Sequence, residues 1–273
     1  MNRIDALFAR LKSENRCALI PFLTAGDPDL ETTERLVREA FARGAGLVEI
    51  GVPYSDPIAD GPVIAESYTR ALRKGVKVES ILEMIGTLRQ GPKAENGPIV
   101  TMVSYSIVLK RGVDRYLSEA KTAGVDGLIV PDLPVEEAAG LAKAIKSQDL
   151  RLIQLVTPTT PRERALKIAE TTTGFLYYVS VAGITGERRA LPADLASNVA
   201  WLRERTSLPI CVGFGIAEAD QVRALAPVAD GLIVGSALVR RVADAHSRGL
   251  SGDSLVTEIG GFIAELAEGL NLS

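Results

Sequence analysis

About eight strand-then-helix units in succession predict one closed parallel (β/α)8 barrel, a TIM barrel, spanning residues 1–273 as a single domain. Two further observations support closure. No G-x-G-x-x-G opens a helix, whereas the open doubly wound sheet, the main structural competitor, usually carries that fingerprint and has fewer strands. The string DGLIV occurs at 126–130 and again at 230–234, at strands four and eight, half a barrel apart. No linker or shift in composition marks a domain boundary.

The elements follow in order. Ile4, Leu7, Phe8 and Leu11 at helical spacing predict an extra N-terminal helix over residues 1–12, covering one end of the fold. Residues 18–24 read as an apolar strand ending in Gly-Asp-Pro, and 30–43 as a helix stopped by Gly44 and Gly46. Strand two lies at 47–52. Two helical stretches, 63–73 and 78–89, follow it, so one is extra to the repeat. Strand three is placed at 99–105, a helix at 113–123, strand four at 127–130 and a helix at 136–147. Strand five is read as a single run over 150–156, followed by a helix at 161–170 with proline at its start. Strand six runs 175–181, a helix 193–205, strand seven 209–212, a helix 217–225 and strand eight 231–234. Two closing helices again give one more than the repeat needs. The last carries Leu255, Ile259, Phe262, Ile263 and Leu266 on one face.

Composition narrows the function. Hydrophobic residues make up 47% of the 273-residue chain and the net charge is −3, with both signs mixed, so no basic stripe points to nucleic acid. Aromatics at 5% are too sparse for a base-stacking surface. Cys17 and Cys211 sit far apart in apolar runs and read as buried thiols; with only His246 besides, there is no zinc constellation. There is no apolar signal core and no run approaching a membrane span, so a soluble cytoplasmic protein is expected.

The chemistry concentrates in residues 47–62, LVEIGVPYSDPIADGP. Glu49 interrupts a buried β-branched strand, where a lone carboxylate needs a partner or a task. Asp60 follows eleven residues later on a loop stiffened by Pro53 and Pro57. Two carboxyls in different environments supply an acid and a base at one pH. A plainer reading has Glu49 paired with an arginine and Asp60 capping the next helix. Barrel chemistry sits at the C-terminal strand ends. Those ends carry no lysine, which argues against Schiff-base aldol chemistry. Asp132 on strand four completes a trio of carboxylates, but the apolar neighbours of Glu49 argue against a divalent metal, and none is assigned. After strands seven and eight, Gly213-Phe214-Gly215 and Gly235-Ser236 offer bare backbone amides ahead of helices, a recurrent phosphate site; tight βα turns are the alternative. The loop at 183–186 is placed to close over the same anion.

The stretch at 47–62 resembles the signature of the tryptophan synthase alpha chain family. The likeness extends through PFLTAGDP at 21–28, IVPDLPVEE at 129–137, VTPTTP at 156–161, YYVSVAGITG at 177–186, GFGI at 213–216 and VGSALV at 234–239, in order across essentially the whole chain. The resemblance implies a (β/α)8 barrel that cleaves indole-3-glycerol phosphate to indole and glyceraldehyde 3-phosphate. It implies no cofactor in this chain and a pyridoxal-phosphate beta chain as partner, in an α2β2 assembly. By position it implies Glu49 and Asp60 as catalytic, Tyr177 touching them, Phe22 as a wall of the indole pocket and Thr185 on a mobile loop. Gly186, Gly215, Gly235 and Ser236 would grip phosphate, and Asp56, Pro57, Asp132 and Pro134 would face the beta chain. Thr185 is expected to bond Asp60 when the 182–191 loop closes. Two positions depart from the family pattern: Ser106-Ile107 stands where many members have an asparagine pair facing the partner, and Val181 where an arginine is common. A non-catalytic activator of a beta chain, or another phosphate-binding barrel enzyme, are the alternative functions.

Overall fold

The computed structural model describes residues 1–57, 61–91, 94–179, 194–213 and 215–270. The elements run α1 (Arg3–Ser13), β1 (Ala18–Thr24), α2 (Leu30–Ala42), β2 (Val48–Gly51), α3 (Pro62–Arg73), α4 (Val78–Leu88), β3 (Ile99–Met102), α5 (Tyr105–Arg111) and α6 (Val113–Ala123). They continue with β4 (Gly127–Ile129), α7 (Ala138–Ser147), β5 (Arg151–Ile153), β6 (Leu155–Val156), α8 (Arg162–Thr171), β7 (Leu176–Val179) and α9 (Leu195–Arg203). The chain closes with β8 (Ile210–Gly213), α10 (Ala219–Leu225), β9 (Gly231–Val234), α11 (Ser236–Ser247) and α12 (Gly252–Glu268). Every strand pairing is parallel, in the order β5-β4-β3-β2-β1-β9-β8-β7-β6.

The two ends of that order are consecutive pieces of one run. The fifth strand, read from sequence as one element, breaks at Gln154: its first half pairs β4 and its second half pairs β7. Gln154 is buried, and its side-chain amide donates to Thr171 Oγ1 at 2.6 Å on α8. Nine ladder segments therefore occupy eight barrel positions. Strand three is also corrected. Tyr105 begins a helix and does not end the strand, because Ser104 breaks the ladder and caps α5 by accepting from Ser106 N. The extra helices expected beside strands two and eight are α3 with α4 and α11 with α12; α5 was not anticipated.

The strands are apolar on both faces, as a parallel sheet covered by helices demands. One cluster fills the space between sheet and helices. The other fills the barrel and includes Ile20, Phe22, Met102, Ile129, Ile153 and Ile233. α1 joins the interior cluster and plugs the N-terminal end, with Phe8 against Phe175 at 5.7 Å between ring centroids. Asn2 caps α1 and reaches across to the carbonyls of Asp126 and Asp149, each at 2.9 Å.

The repeated string has one structural job, done twice. Asp126 Oδ2 accepts from the N–H of Ile99, which starts β3, and Asp230 Oδ2 accepts from that of Ile210, which starts β8. In each case an arginine from the preceding helix end closes the clamp: Arg89 on Asp126 at 2.9 Å and Arg203 on Asp230 at 3.1 Å. The clamps differ in burial. Asp126 and Arg89 are 5% and 10% exposed, Asp230 and Arg203 37% and 41%. Removing Arg89 leaves Asp126 only the half-exposed Arg3, at 2.9 Å, and strips the carbonyls of Gly124, Glu95 and Gly97 of their donor. Arg89→Ala is therefore expected to cost about 3 kcal/mol or more, and Arg203→Ala about 1 kcal/mol or less, measured by urea unfolding of each variant.

Candidate active site

Glu49 lies on β2 with its side chain inside the barrel, 0% exposed, in register with Phe22 of β1 and Val100 of β3. β2 can carry it because the flanking positions Val48 and Ile50 point the other way, into the sheet–helix core. Burial pushes the Cys211 thiol on β8 well above its usual range. Cys211 is thus held as a neutral thiol and takes no part as a nucleophile.

The rest of the mouth is shaped by close approaches to bare backbone. A Cβ on Gly51, next above Glu49 on the same face, would lie 2.5 Å from Phe22 Cζ and 2.8 Å from Tyr68 Oη. A Cβ on Gly213 would lie 2.8 Å from both Cε2 and Oη of Tyr177. Gly51 thus leaves room for Phe22 and Tyr68, and Gly213 for Tyr177. Phe22 also links the two halves of the site, since a Cβ on Gly235 would meet Phe22 Cβ at 3.8 Å, an ordinary contact.

Gly235 is the N-cap of α11 and Ser236 its first residue, with no side chain closing the helix start. That end of a 12-residue helix presents free amides and the positive end of the dipole. The other expected anion site differs. Gly215 is exposed with φ +42°, which favours glycine, but it does not lead directly into a helix. α10 starts four residues later, and its start is closed by Gln221, whose side-chain oxygen accepts from the N–H groups of Ala217 at 2.7 Å and Glu218 at 3.1 Å.

Asp132 stands apart from Glu49. It is exposed, accepts from Ser104 Oγ and from Tyr105 N, both at 2.7 Å, and so fixes the start of α5. Asp56 and Pro134 are exposed and Pro57 half-buried, on the loops that leave β2 and β4 on the same side of the barrel. Asp60, Thr185 and Gly186 lie outside the described residues. Among the described residues no group of three or more His, Cys, Asp or Glu is arranged to hold a metal. Sequence reasoning missed Gly51, Met102 and Tyr68, and it read Gly213 as part of an anion loop and not as the seat of the Tyr177 ring. The signal for Tyr68 was its place with Ile64 and Ala71 on the buried face of α3.

A parallel barrel with a buried carboxylate at one strand end and an open helix start two strands away belongs to the class of (β/α)8 enzymes that act on small phosphorylated substrates. The profile of the tryptophan synthase alpha chain family matches residues 8–259. A tryptophan synthase alpha chain of Rhodopirellula baltica is 56% identical over 251 residues, covering 92% of this chain and 90% of the relative. One from Prochlorococcus marinus is 44% identical over 271 residues, covering 98% of each. Among solved structures, the alpha subunit of Legionella pneumophila superposes with a TM-score of 0.90 at 33% identity, covering 99% of both chains. A Mycobacterium tuberculosis tryptophan synthase gives 0.88 at 33% identity, covering 100% of this chain and 99% of that one. The chain belongs to the tryptophan synthase alpha chain family. It is a carbon–carbon lyase that cleaves indole-3-glycerol phosphate, needs no cofactor of its own and works in complex with a beta chain that carries pyridoxal phosphate.

The packing of Tyr177 on Gly213 gives a test of the site's geometry. Gly213→Ala is expected to displace the Tyr177 ring, at about 1–3 kcal/mol of stability. Indole release from indole-3-glycerol phosphate should fall by up to about 10²-fold. Thermal melting and indole release of the purified variant measure the two effects.

Proposed function

We propose that Glu49 and Asp60 divide the acid–base work of the lyase reaction. The observation that carries this reading is the position of Glu49: a wholly buried carboxyl inside the barrel, on β2 two residues below its last residue, Gly51. Cleavage needs a proton at C3 of the indole, which turns the ring into an iminium-like cation. Loss of the proton from the adjacent side-chain hydroxyl then lets the C3–carbon bond break. Its electron pair returns to the ring, restoring indole, and the hydroxyl carbon becomes the aldehyde of glyceraldehyde 3-phosphate. One proton enters at C3 and one leaves the hydroxyl, so a single group that gives and regains a proton suffices. Glu49 takes that role, since burial among apolar side chains favours its neutral acid form. Asp60, on the more polar loop, stays ionised and stabilises positive charge at the indole N–H.

Phe22 walls the indole, Tyr177 touches the two carboxyls, Thr185 bonds Asp60, and Gly186, Gly215, Gly235 and Ser236 hold the phosphate end. The open start of α11 supports the central part of that grip. Asp56, Pro57, Asp132 and Pro134 form the beta-chain face of an α2β2 assembly; the exposure of Asp56, Asp132 and Pro134 beside the barrel mouth supports this. The same reading takes residues 1–273 as one domain, supported by a core cluster drawn from elements between β1 and α12. It places the chain in the cytoplasm, in line with the family's biosynthetic role and with free thiols at Cys17 and Cys211.

Two variants test the assignment. Glu49→Gln keeps the shape and removes the titrating group. Indole release should fall by about 10²–10⁴-fold with the fold retained; near-full activity in the folded variant would remove Glu49 from the reaction. Gly235→Asp sets a carboxylate at the start of α11. Calorimetry should then show sharply weaker binding of glycerol phosphate, and an unchanged dissociation constant would move the anion site elsewhere.

A further inference from the structure

α3 covers the C-terminal mouth of the barrel much as α1 plugs the other end. Ile64 and Tyr68, one turn apart on its buried face, belong to the cluster that fills the barrel, together with Phe22 and Met102. This roof is low. A Cβ on Gly51, the last residue of β2, would lie 2.8 Å from Tyr68 Oη and 2.5 Å from Phe22 Cζ, so the Tyr68 ring stands over bare backbone with no room for a methyl group. Tyr68 Oη also reaches Met102 Sδ of β3, at 4.0 Å.

A second stripe of α3 fixes the height of the roof. Ser67, Arg70 and Lys74 follow one another at i, i+3 and i+7, so they share one side of the helix, and all three bond the end of β1 or the turn after it. Ser67 Oγ donates to Ile64 O at 2.7 Å and so accepts from Thr24 Oγ1, also at 2.7 Å. Arg70 donates to both carboxylate oxygens of Asp27, from Nε at 3.0 Å and from Nη2 at 2.7 Å. Lys74 Nζ donates to Pro28 O at 2.6 Å. These ties are unequal. The first joins two neutral hydroxyls, and the last is a single contact on a flexible stem. The middle one is a charge-assisted fork, which fixes angle as well as distance. Asp27 is buried while Arg70 is partly exposed, so water competes at one end of the pair only.

We propose that Arg70 is a positioning residue that sets the size of the indole pocket: its fork on Asp27 holds α3 down over the barrel mouth, and the depth of Ile64 and Tyr68 limits how large a ring fits beside Phe22. The proposal rests on the reading of Phe22 as a wall of that pocket. Arg70 acts through the helix and not on the substrate. A roof already in contact with bare backbone cannot descend further, so loosening the fork can only raise it and widen the pocket.

Substrate discrimination tests this. Indole-3-glycerol phosphate is compared with a series carrying one methyl group at each free carbon of the benzo ring. The parent chain should reject at least one of these by about tenfold or more in kcat/KM, the scale on which an apolar pocket resolves a single carbon. Arg70→Gln removes the fork and leaves the other two ties. It should lower that rejection by about fivefold or more, with glycerol phosphate affinity unchanged. Arg70→Lys keeps the charge beside Asp27 without the fork; it should shift the rejection the same way by less, and it carries the comparison if Arg70→Gln does not fold. A general loss of rate with the rejection unchanged is what a merely structural pair gives, and it overturns the proposal. So does a parent chain that accepts the whole series equally. Phe22→Leu in parallel separates the two readings. If it alters the profile across the series and the Arg70 variants do not, only the positioning role fails. If it alters nothing, Phe22 does not wall the indole and the proposal falls with that reading.

Discussion

Keeping a carboxyl wholly inside an apolar barrel is the constraint around which this structure is arranged. Desolvating an isolated carboxylate is expensive, and the expense is lowered if the group stays neutral or meets donors and positive charge. Glu49 occupies such a place on β2. The neighbours that narrow the space above it do so through glycines: Gly51 admits Phe22 and Tyr68, and Gly213 admits Tyr177. Among the described residues, these aromatic side chains stand close to the buried carboxyl to which the proposed reaction assigns the proton transfer.

The two ends of the barrel divide the work. The N-terminal end carries stability: α1 plugs it, and the Asp126 and Asp230 clamps fix where β3 and β8 begin. The proposed reading assigns the chemistry and the partner face to the C-terminal end. Phe22 connects the parts there, reaching from beside Gly235 at the anion end to Gly51 above the carboxyl. Asp132, although a strand-end carboxylate, belongs to neither acid nor base. It organises the start of α5, next to the surface expected to meet the beta chain.

The barrel itself was legible in the sequence because its period is carried by apolar strand runs and glycine stops, which local chemistry dictates. β1, α6 and β9 fall where that pattern puts them. The misreadings come from tertiary choices. Strand five looks continuous in sequence, and only the need to pair with both β4 and β7 breaks it at Gln154. Tyr105 has high strand propensity, yet Ser104 caps a helix there because Asp132 holds its first amide. Glu49, Phe22 and Gly235 were visible through motif and resemblance. Gly51 and Tyr68 were not, since a glycine's closeness to a ring on a distant helix leaves no local trace.

The central claim is that a carboxyl at a fixed height on a rigid strand moves the protons of cleavage. Glu49→Asp tests it most directly, because it keeps the acid and withdraws it by one methylene. With glycerol phosphate affinity and thermal stability near those of the parent, indole release from indole-3-glycerol phosphate should fall by about 10²-fold, the scale of a misplacement of an ångström or so. A rate close to that of the parent chain would mean that height on the strand is immaterial and would contradict the account.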